Sequence, residues 1–174
     1  YIMVDTNIDK LILALKFAVS GVPSEIKEAE KYFEERKKLP LFIPQLLIAC
    51  QNKDFSNQIR LTAALQMKNY IDFNWKFNDN MDYNKALVLS EKDEIIIIPS
   101  NDKAVLKEEI VNVIGKCEFK PLLKTLIEST NKIIKFDFVT WRNKLMSDIT
   151  ILLNSNDESQ IYAGLSLYYE ITKV

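Results

Sequence analysis

The sequence predicts an all-α protein made of helical hairpins that stack on one another. Only three glycines and five prolines occur among the 174 residues, whereas a β-rich fold needs turn signals about every ten residues. Apolar residues recur at helical spacing in eight segments, and most links between these segments are only a few residues long. Short links make neighbouring helices antiparallel, so the eight helices are expected to pair into four hairpins.

The first hairpin is predicted over 7–19 and 24–38, where apolar side chains line one face of each helix. Gly21 and Pro23 separate the two helices, because glycine favours a helix end and proline a helix start. The basic run 36–38 closes the second helix, where cations complement the negative end of the helix dipole.

The second hairpin is predicted over 40–51 and 56–75, and its second helix contains the most informative stretch, RLTAALQMKNYIDFNW. Wound at about 3.6 residues per turn, this stretch separates into an apolar face and a polar flank. The apolar face holds Ala63, Ala64, Met67, Tyr70, Ile71 and Trp75, and the polar flank holds Lys68, Asn69 and Asp72. The alanines let another helix approach closely, so this is predicted to be a packing helix with a small polar surface.

Residues 76–99 interrupt the hairpin pattern and are predicted to form an inserted, acidic loop. The first part is polar and is expected to be mobile, and the last part contains four consecutive isoleucines, 95–98. These isoleucines are expected to anchor the loop on a neighbouring apolar surface, because an uncovered run of this kind promotes aggregation.

Two further hairpins complete the predicted stack. Their helices are expected over 101–117, 120–136, 139–153 and 157–173. Pro121 suits the first turn of one helix, and the pattern Ser155-x-x-Glu158 predicts a capping box at the start of the last. The second helices of the four hairpins begin near 24, 56, 120 and 157, which suits a degenerate two-helix repeat of about 40 residues with an insertion. Stacked repeats would form an arch, with one helix layer outside and the other on the concave side.

Composition excludes most kinds of catalytic and ligand site. There is no histidine, which removes histidine-based triads and metal sites, and the three glycines are isolated, so no phosphate-binding loop exists. Cys50 and Cys117 are expected to be free, buried thiols, and two lone cysteines cannot form a zinc site. The net charge of −1 argues against nucleic-acid binding. The sequence therefore predicts no catalytic residues, no metal and no cofactor, and the absence of an apolar run of about 18 residues predicts no membrane insertion.

The stretch 60–75 resembles one particular family. Its Arg60, its paired small residues, the aliphatic-Lys-Asn triplet 67–69 and Trp75 resemble the N-terminal domain of importin-beta-type nuclear transport receptors, the karyopherins. Upstream, Glu28-Ala29-Glu30 with Phe33 fits a helix of the first repeat of that family. The resemblance implies a right-handed α-solenoid of HEAT-like hairpins, here with about four repeats and eight helices over 1–174.

The resemblance continues downstream of the loop in the same order as in the family. The segments IIPSNDKAVLKEEIV (97–111), IIKFDFVTW (133–141) and LNSNDESQIYAGLSLYYEITK (153–173) match successive repeat elements. The loop after Trp75 looks most like the importin-seven/eight type, and the exportin-two type is second. Val139 stands where the family usually has proline, which puts the local turn in question. The chain, which begins at Tyr1, is interpreted as a fragment of a longer receptor.

The resemblance implies that this domain binds the small GTPase Ran in its GTP form, on the concave face. It implies cargo proteins as partners mainly through C-terminal repeats that this sequence lacks, allows nucleoporins as further partners, and implies shuttling between nucleus and cytoplasm. Lys68, Asn69 and Asp72 are the candidate contacts with Ran. Two alternatives stay open: Asn69 could bond backbone between repeats, and Lys68 and Asp72 could be a solvated i,i+4 pair.

Three functional hypotheses are consistent with these residues. The first is a receptor for protein import, and the second is an export receptor of the exportin-two type. The third is a helical-repeat scaffold that binds peptides or adaptor proteins without a GTPase. An enzyme is not expected, because the chain lacks histidine and a cofactor loop.

Overall fold

The computed structural model describes residues 6–78 and 95–173, and all regular secondary structure within these residues is α-helical. The all-α prediction is therefore confirmed. The helices are α1 (Thr6–Ala18), α2 (Pro23–Arg36), α3 (Phe42–Gln51), α4 (Asn57–Asn74), α5 (Ser100–Gly115), α6 (Lys120–Leu153) and α7 (Glu158–Ile171). The acidic loop predicted over 76–99 falls largely on residues 79–94, which lie outside the described part.

The helices pair as hairpins and stack in two layers. α1 packs on α2, α3 on α4, α5 on α6 and α6 on α7. Between hairpins, α1 contacts α3 and α3 contacts α5 in one layer, while α4 contacts α6 in the other. One apolar core runs from α1 to α7, because each hairpin buries its apolar faces against the next.

The chain turns between consecutive helices at two unusual backbone positions. Gly21, between α1 and α2, has a φ of 75°, which glycine adopts without a steric penalty. Leu41, just before α3, has a φ of 68° despite its side chain. Before α7, Asp157 caps the helix by accepting a 2.8 Å hydrogen bond from the Ser159 N–H. The capping box predicted from Ser155 to Glu158 is therefore wrong, because the N-cap lies two residues later, at Asp157.

Helices predicted separately over 120–136 and 139–153 are one continuous helix, α6, of 34 residues. The predicted break between these two helices is therefore wrong. The physical reason is that Val139 replaces the proline expected there, so the backbone N–H of residue 139 is present and no ring clashes with the preceding turn. The structure thus has seven helices among its described residues rather than the eight predicted.

α6 nevertheless bends sharply. Asn131 donates a 2.7 Å hydrogen bond to Glu170, and Gly164 lies directly against Leu152. On a straight helix, residues 131 and 152 would be about 31 Å apart, whereas 164 and 170 on α7 are only about 9 Å apart. Even allowing for side-chain length, these two contacts cannot both form unless α6 bends between them.

The bend lies between Asn131, which contacts α7, and Trp141, which contacts α5. This stretch contains a 3.1 Å hydrogen bond from the Thr140 hydroxyl to the Asp137 carbonyl, a kind of bond that can bend a helix. Four other hydroxyls of α6 make such bonds, so this bond alone does not account for the bend. Val139 is 91% exposed, as expected for the outer side of a bend. From Trp141 onwards, α6 runs alongside α5 in the same direction, since the Trp141 indole bonds to the Lys107 carbonyl at one end and Gly115 contacts Leu152 at the other. The bend therefore lets a single helix serve as the second helix of one hairpin and the first of the next.

Candidate partner-binding face

The two faces predicted for α4 are present. All six residues of the predicted apolar face are buried, and they lie between α3 and α6. Trp141 of α6 is buried as well. Alanine at 63 and 64 leaves room for the close approach of neighbouring helices. The polar flank consequently points away from the core.

Lys68 lies in a line of alternating charges that joins α4 to α6. Its ammonium is 3.9 Å from the Asp72 carboxylate on α4 and 3.4 Å from the Glu128 carboxylate on α6. Glu128 also lies 4.0 Å from the ammonium of Lys124. These four side chains are named the charge ladder. All are partly or largely exposed, so the ladder contributes little to stability and its charges remain available to a partner.

Asn69 lies on the other side of α4. It is exposed and lines a groove of about 300 Å³ between α2 and α4, together with Lys37 and Phe73. Within 6–78 and 95–173 its side chain makes no hydrogen bond, including none to backbone of a neighbouring repeat. The structure thus brings Lys68 and Asp72 together and places Asn69 about 100° around the helix from Lys68.

A buried anchor fixes how α4 is rotated. The Tyr70 hydroxyl donates a 2.8 Å hydrogen bond to the Lys37 carbonyl at the end of α2. Its ring packs edge-on against Phe42, with ring centroids 5.3 Å apart. Burial, together with the nearby Asp102 carboxylate, raises the pKa of Tyr70, so the phenol stays protonated and remains a donor. Because Tyr70 is held in this way, Lys68 and Asn69 are held on opposite sides of the exposed surface.

Arg36 supports the same region from the end of α2. It is buried, and its guanidinium donates to the Pro40 carbonyl at 2.9 Å and to the Gln45 side chain at 2.7 Å. The basic end predicted for this helix therefore has a more specific role than a dipole contact, because Arg36 joins α2 to α3. The sequence did not indicate that Arg36 is buried, because a run of three basic residues is typical of an exposed surface.

The base of the inserted segment is well packed. Phe77 and Ile98 are buried, and Lys103 of α5 donates to the Trp75 and Phe77 carbonyls at 2.8 and 2.7 Å. Among the four isoleucines, Ile98 is the one that is fully buried, Ile96 packs against the core, and Ile97 is exposed. The anchoring predicted for this run is thus achieved mainly by its last member.

The α6 partners of Lys68 were not predicted from the sequence. Lys124 and Glu128 are spaced i,i+4 on a predicted helix, which was a local sign of an exposed charged face. Nothing local indicated that this face would lie beside Lys68, because the contact spans 60 residues of sequence and depends on how two hairpins stack.

The cysteines offer no reactive site. Both are free and buried, as predicted. Burial raises the pKa of the Cys50 thiol to about 12, so the nucleophilic thiolate is scarce at neutral pH. In the described part of the chain, no group of three or more acidic or cysteine side chains is arranged to hold a metal ion. None of the helices described there is long and apolar enough to cross a membrane.

Comparison with known protein families gives one match over half of this chain. The family described as Importin-beta N-terminal domain matches residues 29–116, from α2 to the end of α5. This region contains α4, its polar flank and the inserted loop.

Individual relatives match nearly the whole chain. Importin-8 of Danio rerio is 24% identical over 165 residues, which cover 95% of this chain and 15% of that protein. Exportin-2 of Pagrus major is 26% identical over 153 residues, which cover 88% of this chain and 14% of that protein. The chain therefore spans only a small part of the length of these relatives.

A solved structure has the same fold. The exportin Cse1 in its cargo-free, cytoplasmic state superposes with a TM-score of 0.78 at 21% sequence identity. The superposition covers 97% of this chain and 16% of that one. The predicted fold class, an α-solenoid of HEAT-like hairpins, is thereby confirmed.

Proposed function

Because this chain belongs to the importin-beta N-terminal domain family, we propose that it is the N-terminal part of a nuclear transport receptor that binds Ran in its GTP form. The observation that carries the proposal is the family match over 29–116, which includes α4 and its exposed polar flank. On this proposal residues 1–174 form one N-terminal domain with an insertion at 76–99. The full receptor binds cargo mainly through later repeats, shuttles between nucleus and cytoplasm, and has nucleoporins as further partners.

The proposed binding surface is the layer formed by α2, α4 and the first half of α6. The charge ladder offers both signs of charge within one exposed line, and Asn69 adds an amide that can both donate and accept hydrogen bonds. A nucleotide can control binding only if the receptor touches GTPase surface that differs between the GTP and GDP forms. A charged, partly exposed surface suits such nucleotide control, because charges of the GTPase that do not match this surface in the GDP form lower the affinity of that form.

Protein import is the proposed direction, and export of the exportin-two type is the alternative. The identities of 24% to Importin-8 and 26% to Exportin-2 are nearly equal. The two directions differ in a measurable way: in an importer Ran in its GTP form releases cargo, whereas in an exporter it is required for cargo loading. A competition assay with the full-length receptor and a bound cargo therefore separates them.

We expect this domain to bind Ran loaded with a non-hydrolysable GTP analogue at least about tenfold more tightly than Ran loaded with GDP. The measurement is isothermal titration calorimetry with both forms at the same salt concentration. Equal affinity for the two forms would contradict a nucleotide-controlled receptor and would favour the helical-repeat scaffold.

Variants on α4 test which residues make the contact. Lys68→Ala is expected to weaken binding of the GTP form by about five- to tenfold, since it leaves the Asp72 and Glu128 carboxylates without their shared cation. Asn69→Ala and Asp72→Ala are expected to act in the same direction. Lys16→Ala is the matched control, because Lys16 is an exposed lysine of α1, in the other helix layer, and makes no ion pair with the described residues. Equal effects of Lys68→Ala and Lys16→Ala would place the contact elsewhere.

A further inference from the structure

A second groove lies beside the charge ladder, between the first half of α6 and α7. It encloses about 550 Å³, which is within the usual range for a ligand-binding cleft. Its α6 wall extends from Lys120 to Asn131 and its α7 wall from Tyr162 to Lys173. Each wall therefore spans 11 residues, or about 16 Å along the helix.

The floor of the groove is apolar and its rim is aromatic. Leu123 and Ile127 of α6 form the floor, and Tyr162 and Tyr169 of α7 line the opposite wall. Both tyrosines are 62% exposed. Exposed tyrosines beside an apolar floor are characteristic of protein-binding surfaces, because the ring contributes contact area and the hydroxyl can still bond to water or a partner.

The lining of the groove carries a net positive charge. It has three lysines, at 120, 124 and 173, and two glutamates. Two of the lysines are paired with these glutamates: Lys124 lies 4.0 Å from Glu128, which also pairs with Lys68, and Lys173 donates to Glu170 at 2.5 Å. Lys120 has no ion pair with any residue in 6–78 or 95–173. An incoming anion would therefore meet one unpaired cation, Lys120, at the end of the groove where the net charge is positive.

The start of α6 adds to this positive potential. The helix begins at Lys120, at one end of the groove, and Phe119 provides no side-chain cap. Pro121 has no N–H and the Leu123 N–H bonds to the Phe119 carbonyl, so this helix start can offer the N–H groups of residues 120 and 122, where the helix dipole is positive. At the other end, the Lys173 ammonium lies 4.3 Å from the centroid of the Tyr169 ring, which orients a cation towards the tyrosine wall.

We propose that this groove binds an acidic linear segment of a partner protein, about five residues long, with an apolar side chain at its centre. An extended chain of five residues spans about 17 Å, which matches the groove length. The central side chain would lie on Leu123 and Ile127 between the two tyrosines, and the flanking carboxylates would lie beside Lys120 and Lys124 at one end and Lys173 at the other. The groove shares Lys124 and Glu128 with the charge ladder, but peptide binding in it requires neither a GTPase nor a nucleotide.

The test uses three fluorescein-labelled peptides with blocked termini and fluorescence anisotropy at low salt, without any GTPase. The probe is Glu-Asp-Phe-Asp-Glu, and the comparisons are Glu-Asp-Ser-Asp-Glu and Lys-Lys-Phe-Lys-Lys. We expect the probe to bind with a Kd of about 10–100 μM and both comparisons to bind at least about tenfold more weakly. A probe that fails to bind below about 1 mM, or binds no better than the basic peptide, would overturn the proposal.

Two variants locate the binding on this groove. The double variant Lys120→Glu with Lys124→Glu is expected to weaken probe binding by about tenfold, and Tyr169→Ala by about fivefold. Lys31→Glu, on α2, is the matched control and is expected to leave the Kd unchanged. Circular dichroism melting of each variant verifies that it is folded, which is expected because all four positions are exposed. Binding of the probe that is unaffected by the double variant would show that it binds elsewhere and would overturn the assignment.

Discussion

Replacing Asp102 with alanine is expected to lower the free energy of unfolding by about 2–3 kcal/mol, although Asp102 lies outside the proposed binding surface. Asp102 lies in the first turn of α5 and is only 1% exposed. Its carboxylate accepts a 2.8 Å hydrogen bond from the Leu41 N–H, 61 residues away in sequence. Alanine would leave this backbone donor without its partner at the point where Leu41 has a left-handed φ.

The contact has a large effect because it joins two repeats. Leu41 precedes α3, which has no side-chain cap of its own, so Asp102 supplies the missing acceptor from another hairpin. Asp102→Asn keeps one acceptor oxygen and is expected to cost only about 1 kcal/mol. Asp54→Ala is the matched control, because Asp54 is an exposed acidic residue in a turn and its loss should change stability by less than about 0.5 kcal/mol. Urea unfolding followed by circular dichroism measures all three variants.

The same carboxyl predicts how stability depends on pH. Burial raises the pKa of Asp102 above its usual value near 3.8, and this outweighs the hydrogen bonds from the backbone and the charge of Arg36. A group whose pKa is higher in the folded state favours folding most when it is protonated, so its contribution falls as pH rises through the raised pKa. The stability of the wild type relative to Asp102→Asn should therefore decrease as pH rises from about 4. An increase over that range would show that the hydrogen bonds and Arg36 dominate instead.

Local pattern was sufficient to predict the helices and much of the core. The 3.6-residue spacing of Ala64, Met67 and Ile71 identified the buried face of α4 because a helix places such residues on one line. The short links identified the hairpin partners, because a link of only a few residues makes the next helix run antiparallel to the one before it. The family resemblance then supplied the handedness and the repeat type, which spacing does not determine.

Contacts between hairpins could not be predicted from the sequence. The Lys68–Glu128 and Asp102–Leu41 contacts each join residues about 60 positions apart, and both depend on the register in which two hairpins stack. A polar residue such as Asp102 at the start of a helix looks like an ordinary first-turn carboxylate. Its burial becomes visible only when α3 is placed beside α5.

The sequence predicted a break between 136 and 139, whereas α6 is continuous there and bends. The segment 133–141 resembles a family element that usually has proline where Val139 stands, and this left the local turn in question. This resemblance did not indicate whether the helix would break or bend, because that depends on backbone hydrogen bonds across Val139. The groove between α6 and α7 follows from this bend, so it was not visible in the sequence.

Replacing Trp141 with alanine is expected to be the most destabilising of these changes, at about 3–5 kcal/mol. Trp141 is 3% exposed, and its indole N–H donates a 3.0 Å hydrogen bond to the Lys107 carbonyl of α5. It lies just after the bend, where it packs the second half of α6 on α5. Trp141→Phe retains an aromatic ring but loses the hydrogen bond, so it should cost about 1–2 kcal/mol. Val139→Ala is the control, because that side chain is almost fully exposed.

The way in which Trp141→Ala unfolds should reveal how the repeats are coupled. In a stack of repeats each unit is stabilised mainly by its neighbours, so weakening one contact between hairpins can uncouple the two sides. Trp75 is then the remaining tryptophan, and it reports on the end of α4. We expect circular dichroism to detect loss of helix at a lower urea concentration than the change in Trp75 fluorescence, because residues 139–173 would unfold first. Coincident transitions would instead mean that the domain unfolds as one unit, and that Trp141 stabilises all of its hairpins together.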